Sequence, residues 1–203
     1  FEADERFGEI LASGPLGSTV KARLALHYSG SEGFFRNTAS PLPNRGTLVP
    51  KYKRITNSEL WMARGTLLFE PSNAYDARLK LNFVKERWNG TGGDAQLAGC
   101  PDGLGSVAPI DIPFLSGSEC TLDRNTQLGD LDPDFWPGVP NGGVPFLDSK
   151  QAFGSLEQNL VISPVLKLTS VPGYYRIDHE IMPRGNTTST PTIAPHYNFR
   201  NTQ

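Results

Sequence analysis

Ser13-Gly14-Pro15-Leu16-Gly17-Ser18-Thr19-Val20-Lys21-Ala22-Arg23-Leu24-Ala25-Leu26-His27-Tyr28 opens as a turn and continues as a strand. Gly and Pro in Gly14–Ser18 supply the backbone angles that a short connection demands. Beyond the turn, successive side chains of an extended chain point to opposite sides. Val20, Ala22, Leu24, Leu26 and Tyr28 therefore share one face, and Lys21, Arg23, Ala25, His27 and Ser29 share the other. An uncharged face backing one with two cations is a period-two signal. The strand before the turn repeats it more weakly, setting Gly8, Ile10 and Ala12 against Phe7, Glu9 and Leu11. The pattern predicts a hairpin over about 6–28, in a sheet with lipid on one side and water on the other.

A second hairpin is predicted over about 59–88. Trp61, Ala63, Gly65, Leu67 and Phe69 share a face, Pro71-Ser72-Asn73 turns the chain, and Ala77, Leu79, Leu81 and Phe83 return opposite Arg78, Lys80 and Asn82. A third is predicted over about 153–179, where Leu156, Gln158, Leu160 and Ile162 alternate with Ser155, Glu157, Asn159 and Val161. Ser163-Pro164-Val165 forms its turn. Pro172 cannot donate to a ladder, so a bulge or irregularity is expected near Ser170. Loops are expected over 37–55, 89–150 and 183–203. The fold class is all-β, an antiparallel meander of about six strands.

The 203 residues include 21 Gly and 17 Pro and carry a formal charge of −2, a turn-rich and near-neutral composition. No basic block tracks a phosphate backbone, so nucleic acid is not an expected partner. Apolar runs such as Leu160-Val161-Ile162 are far too short for a membrane-crossing helix. A barrel strand needs only about 9–11 residues to cross, so a membrane stays open. The chain starts at Phe1 and ends in a polar stretch at Gln203, and it reads as a piece of a longer protein.

The long central loop holds the remaining candidates. Cys100 and Cys120 share its Gly/Pro/Asp-rich stretch, which favours a disulfide in an oxidising compartment over two unrelated thiols. Neither forms a Cys-x-x-Cys pair and every His is distant, which argues against zinc. Asp130, Asp132 and Asp134 alternate as hard-cation ligands do. Pro133 and Phe135-Trp136 stand where a calcium loop needs Gly and a distal Glu, so a solvated acidic loop is the better reading. Phe135-Trp136 either stacks on a ligand ring or anchors its loop, with anchoring the commoner use. Trp88 carries the same two readings and a third as an interfacial aromatic. Asp178-His179-Glu180 looks reactive, but neighbouring strand residues face opposite ways and no Gly-x-Ser-x-Gly elbow exists. No catalytic residue, cofactor site or metal site is assigned, and the chain is not read as an enzyme.

Short turns near Pro15, Ser72 and Pro164 fall at one end of the strands and long loops at the other. Outer-membrane barrels have this asymmetry. Tyr28, Phe34, Phe35, Trp61, Phe69, Tyr75, Trp88, Tyr174 and Tyr175 gather toward strand ends, as interfacial girdles or as core aromatics.

Three phrases, Ser13 to Asn37, Arg64 to Phe83 (RGTLLFEPSNAYDARLKLNF) and Leu166 to Glu180 (LKLTSVPGYYRIDHE), resemble early barrel strands of the TonB-dependent outer-membrane receptors. The resemblance spans most of the chain. It implies part of a large transmembrane β-barrel in the bacterial outer membrane. Such a barrel contacts outer-membrane lipid and imports a scarce small-molecule nutrient with energy from the TonB complex. The family's plug, its TonB-contacting segment and its closing strand have no counterpart in these residues, so TonB contact would fall to a region preceding Phe1. About six strands cannot close a barrel that takes about 22 in plugged transporters.

Lys21, Arg23, Arg64, Arg78 and Lys80 are candidates for a lumen-facing surface that meets plug carboxylates, or else are cations on a soluble sheet. The rival architecture is a soluble, secreted β-sandwich that binds glycan or protein through its loops. It would bury Val20, Ala22, Leu24, Leu26, Leu79, Leu81 and Phe83 against a second sheet, whereas a barrel points them at lipid.

Overall fold

The computed structural model describes residues 3–91, 96, 121–184, 189–191 and 194–203. In chain order the strands are β1 (Arg6–Pro15), β2 (Val20–Ser31), β3 (Phe35–Asn37), β4 (Thr47–Leu48), β5 (Arg54–Ile55), β6 (Asn57–Ser72), β7 (Tyr75–Asn89), β8 (Asn125–Thr126), β9 (Asp130–Leu131), β10 (Phe146–Ser163), β11 (Leu166–Ser170), β12 (Gly173–Met182) and β13 (Tyr197–Thr202). Single 3-10 turns occupy Pro43–Arg45 and Pro140–Gly143, and the described residues contain no α-helix.

Eight strands form one antiparallel sheet in the order β1-β2-β6-β7-β10-β12-β13, with β11 beside β10. Neighbours in the sheet follow chain order, as in a meander. The sheet is open: β1 and β13 are its two edges, and it does not close into a barrel. Its strands are long. β6 and β7 run 16 and 15 residues and β10 runs 18, against about 5–6 in ordinary sheets.

The first two hairpins coincide with β1–β2 and β6–β7. Leu16 N donates to Val20 O at 2.8 Å across the first turn. Ser72 pairs with Tyr75 across the second, where Ala74 N donates to Ser72 Oγ at 3.3 Å.

The last third differs from the sequence reading at β10 and at β13. β10 starts at Phe146, within the expected loop. The segment after Pro183 returns as β13, whose residues Tyr197–Thr202 pair with β12. That adds a strand to the expected six. Its apolar-polar alternation is short and weak, so pairing with β12 rather than periodicity forms it. The irregularity expected near Ser170 is a break at Val171-Pro172 between β11 and β12, without a register shift. Gln158 pairs with Ser170 and Ser155 with Gly173, so β11 and β12 occupy one continuous line beside β10. Leu156 N still donates to Pro172 O at 3.0 Å. Proline costs the ladder its own donor and nothing more. The register shift of this hairpin lies at its turn instead, between Val161 and Ser163.

The buried core is not under the sheet. Ile55, Leu128, Leu131, Val144, Phe146 and Met182 are buried where the long loops gather, at the end of the sheet away from the three short turns. The small pairings that build this end join distant segments. β3 pairs with β5 and, in parallel, with β8, and β4 pairs with β9.

Candidate functional site

The large sheet has two chemically distinct faces, fixed by register. Ile10 pairs with Leu26, Leu26 with Ala63, and Ala63 with Phe83. Ala12, Leu24, Gly65 and Leu81 form the next row, and Gly154 of β10 extends it. Directly opposed residues lie on the same side of a sheet. These rows therefore define one apolar face. Leu24 is 50% exposed, Leu26 41%, Leu81 53% and Phe83 47%, while Val20, Ala22 and Leu79 are half-buried by their neighbours. Among the described residues no second sheet covers them.

Aromatic pairs bracket this face. Tyr28 and Trp61 meet at 4.5 Å between ring centroids toward the loop end, and Phe69 and Tyr75 at 6.4 Å at the turn end. Trp61 and Phe69 are eight residues apart on β6, roughly 27 Å along a strand. A tilt of about 40° would bring that to roughly 20 Å of height, near the ~25 Å apolar band of outer-membrane barrels. Beyond Trp61 the same face turns charged, with Lys85, Arg87, Asp148, Lys150, Asp178 and Glu180.

All five cations expected on a water-facing surface lie together on the opposite face, because each pairs with a residue of that face: Lys21 with Leu68, Arg23 with Thr66, Arg64 with Asn82, Arg78 with Glu157 and Lys80 with Ser155. They are partly neutralised. Lys21 Nζ lies 2.7 Å from Glu70 and Arg78 3.9 Å from Glu157, while Arg64 Nε donates to Asn82 at 2.7 Å. His27 and Glu9 meet at 2.8 Å on this face as well. Between exposed partners such pairs contribute only about 0–1 kcal/mol each. Their significance is that, from β1 to β10 within the band bracketed by the aromatics, charge is sorted to one side.

The gathered loops form a second region. Asn37 extends β3 and clasps Leu128: its Nδ2 donates to Leu128 O at 2.8 Å, and Leu128 N donates to its Oδ1 at 3.0 Å. Thr38 N and Oγ1 both donate to Thr126 O. Arg184 is the largest fully buried side chain and donates Nη1 to Gly129 O at 2.5 Å. Burial lowers its pKa to about 10, and the nearby Asp130 carboxylate opposes that fall. Burial pushes Asp130 up, while the amide of Lys51, donating at 2.7 Å, and the charge of Arg184 hold it down.

The remaining sequence candidates fall as follows. Phe135 and Trp136 lie 5.0 Å apart by ring centroid, and Trp136 Nε1 donates to Gly46 O at 3.0 Å. Gly46 has φ +70°, and a Cβ there would strike both rings. The pair thus clamps the β9 loop to the turn before β4, while about half of each ring stays exposed. Trp88 sits on the polar face opposite Leu147, its Nε1 donating to Glu86 at 2.8 Å, and so is not among the aromatics of the apolar face. Asp132 Oδ1 accepts from Asp134 N at 3.0 Å, Asp130 is buried, and the three carboxylates form no metal-holding cluster among the described residues. Asp178 and Glu180 share the apolar side of β12, and His179 faces the other way, opposite Ser149. Cys100 and Cys120 lie outside the described residues.

Sequence reasoning missed Asn37, Arg184 and the contact of His196 with Glu180 at 2.9 Å. A lone Asn or Arg in a polar loop carries no periodic signal. No protein-family model, curated protein or solved structure matches this chain.

Proposed function

We propose that this chain is a segment of an outer-membrane β-barrel, a part of a TonB-dependent active transporter that imports a scarce small-molecule nutrient. One observation carries the membrane half of this reading: an uncovered apolar face, bracketed by aromatics, backs onto a face that holds five cations. Among the side chains on it that are at least about 40% exposed, seven are Ile10, Leu24, Leu26, Leu67, Phe69, Leu81 and Phe83. Taking them out of water is worth on the order of 10 kcal/mol, at about 1.5 kcal/mol each for half-buried groups. That equals the whole stability of a typical domain, about 5–15 kcal/mol. A surface of this size calls for a cover, and lipid supplies one without a second sheet.

The transport half rests on the resemblance of the three quoted phrases and on the long loops packed at one end. Spin labels at Leu24 and Leu81, set against labels at Arg23 and Lys80, test the membrane. In bilayers, oxygen should reach the first pair and a water-soluble nickel chelate the second. Equal access of the chelate to all four positions overturns it. Removing this chain from the polypeptide that carries it should abolish TonB-dependent uptake of one limiting nutrient. Unchanged uptake overturns the transport reading.

A further inference from the structure

The apolar face is not smooth. Rows across it alternate large and small, as in Leu24, Gly65, Leu81, Gly154 and Tyr174. The small residues of β10, Ala152 and Gly154, form the floor of an open groove of about 660 Å³, with Leu81 and Phe83 as one wall and Tyr174 as the other. Leu81 leans toward the floor, since a Cβ on Gly154 would meet its Cδ2 at 3.2 Å.

The groove ends at Phe83 and Ala152, and Lys150 stands two residues further along β10, outside its lining. Lys150 stands directly opposite Lys85 of β7 on the same face. Like charges in direct cross-strand register repel. The neighbouring carboxylates do little to relieve them. Asp178, on the far side of Lys150, is engaged by Arg176 at 2.9 Å and by Arg200. Asp148 reaches Lys150 only at 3.9 Å and shares Arg87 at the same distance. Lys85 has no hydrogen bond or ion pair among the described residues.

An apolar groove with two ammonium groups one row beyond its end, Lys85 without an ion pair among the described residues and Lys150 held only by Asp148 at 3.9 Å, matches an amphiphile with an anionic head. We infer that this groove binds one phosphate-bearing lipid, its acyl chain along Ala152 and Gly154 and its phosphate between Lys85 and Lys150. This rests on the membrane reading above. The floor runs from Leu156 to Ala152, roughly 13 Å at about 3.3 Å per residue, with Lys150 roughly 7 Å beyond its end. Phosphate attracts such a pair as anionic lipid surfaces attract basic side chains.

The test uses the polypeptide that carries this chain, purified in a neutral detergent and titrated with phosphatidylglycerol or phosphatidylcholine, with bound lipid counted by native mass spectrometry. The wild type should retain one phosphatidylglycerol and at least tenfold less phosphatidylcholine. Lys85→Glu with Lys150→Glu should cut phosphatidylglycerol retention about tenfold and leave folding intact, since both side chains are exposed. Gly154→Leu should block retention with both lysines present. Equal retention by wild type and the charge variant overturns the inference while leaving the membrane reading standing. A dimer that Gly154→Leu dissolves, with lipid binding unchanged, also overturns it in favour of a contact between copies. If the protein stays water-soluble and takes up neither lipid, the inference and the membrane reading fall together.

Discussion

Asn37 holds Leu128 by hydrogen bonds in both directions, across 91 residues of sequence. Its amide imitates one step of a β ladder where the backbone of β3 has run out. Ala39 N also donates to its Oδ1, at 3.2 Å. One side chain thereby satisfies three backbone groups from two loops.

Asn37→Ala should leave those groups unpaired in a part-buried setting, at about 1–3 kcal/mol. The cost should be local. Amide exchange at Leu128 should quicken roughly tenfold or more, while the amides of β6 and β7 should stay protected. A uniform loss of protection across the sheet would contradict this.

Gly143 and Gly142 offer a paired test of backbone strain. Both have positive φ, +83° and +64°. A Cβ on Gly143 would run into the carbonyl of Leu131, and one on Gly142 meets nothing within 4 Å. Gly142→Ala should cost about 1 kcal/mol from its left-handed backbone alone. Gly143→Ala should cost clearly more, because β9 must move. Equal denaturation midpoints would show that the loop yields freely.

Asp130 gives the loop core a pH dependence. Its folded pKa lies above the ordinary value of 3.8 because burial disfavours the charge. The folded state therefore holds this proton more tightly than the unfolded state. The stability it contributes is full below about pH 3.8 and is lost as pH rises through the folded pKa. Asp130→Asn keeps an acceptor for the Lys51 amide and removes the titration. The melting temperature of wild type minus that of Asp130→Asn should fall between pH 3.5 and pH 7. A difference that rises over that range would mean that Arg184 outweighs burial.

The two faces predict opposite tolerances. Leu81→Arg should impair folding into phosphatidylcholine vesicles by about 2–4 kcal/mol if Leu81 faces mid-bilayer lipid. Lys80→Gln, one residue away on the polar face, should change it by less than about 1 kcal/mol. Equal effects of the two would remove the distinction between faces.

The open edges predict that the chain alone transports nothing. β1 and β13 each present an unpaired row of backbone groups, which hydrocarbon does not tolerate. Proteoliposomes made with the isolated chain should show no solute uptake above empty liposomes. A reproducible uptake signal would overturn this.

What the residues disclosed in advance follows the physics of each region. In β2 and β7 every second side chain changes environment, so alternation from Val20 to Tyr28 and from Ala77 to Phe83 reports the strand and both of its faces. β13 carries no such contrast. Tyr197 and Phe199 alternate with Asn198 and Arg200 over only six residues, too few to stand out, and its partner strand creates it. β10 was hidden at its start for a related reason. Between Phe146 and Ala152 it leaves the apolar band, so Asp148 and Lys150 share the face that Leu156 later occupies. The loop core was the least legible part. Arg184, Asn37 and Leu128 meet through single contacts between distant segments, which leave no repeat along the chain.

The clasped loops also bear on how this end of the molecule can change. The segment between β2 and β6 supplies Asn37, the Gly46 carbonyl and the Lys51 amide. The segment between β7 and β10 supplies Leu128, Asp130 and Trp136, which those groups hold. A loop transplanted alone from another protein would arrive without its counterpart. Recombination or grafting at this end must exchange both segments as one cassette, and Arg184, which reaches Gly129 from beyond β12, has to travel with them.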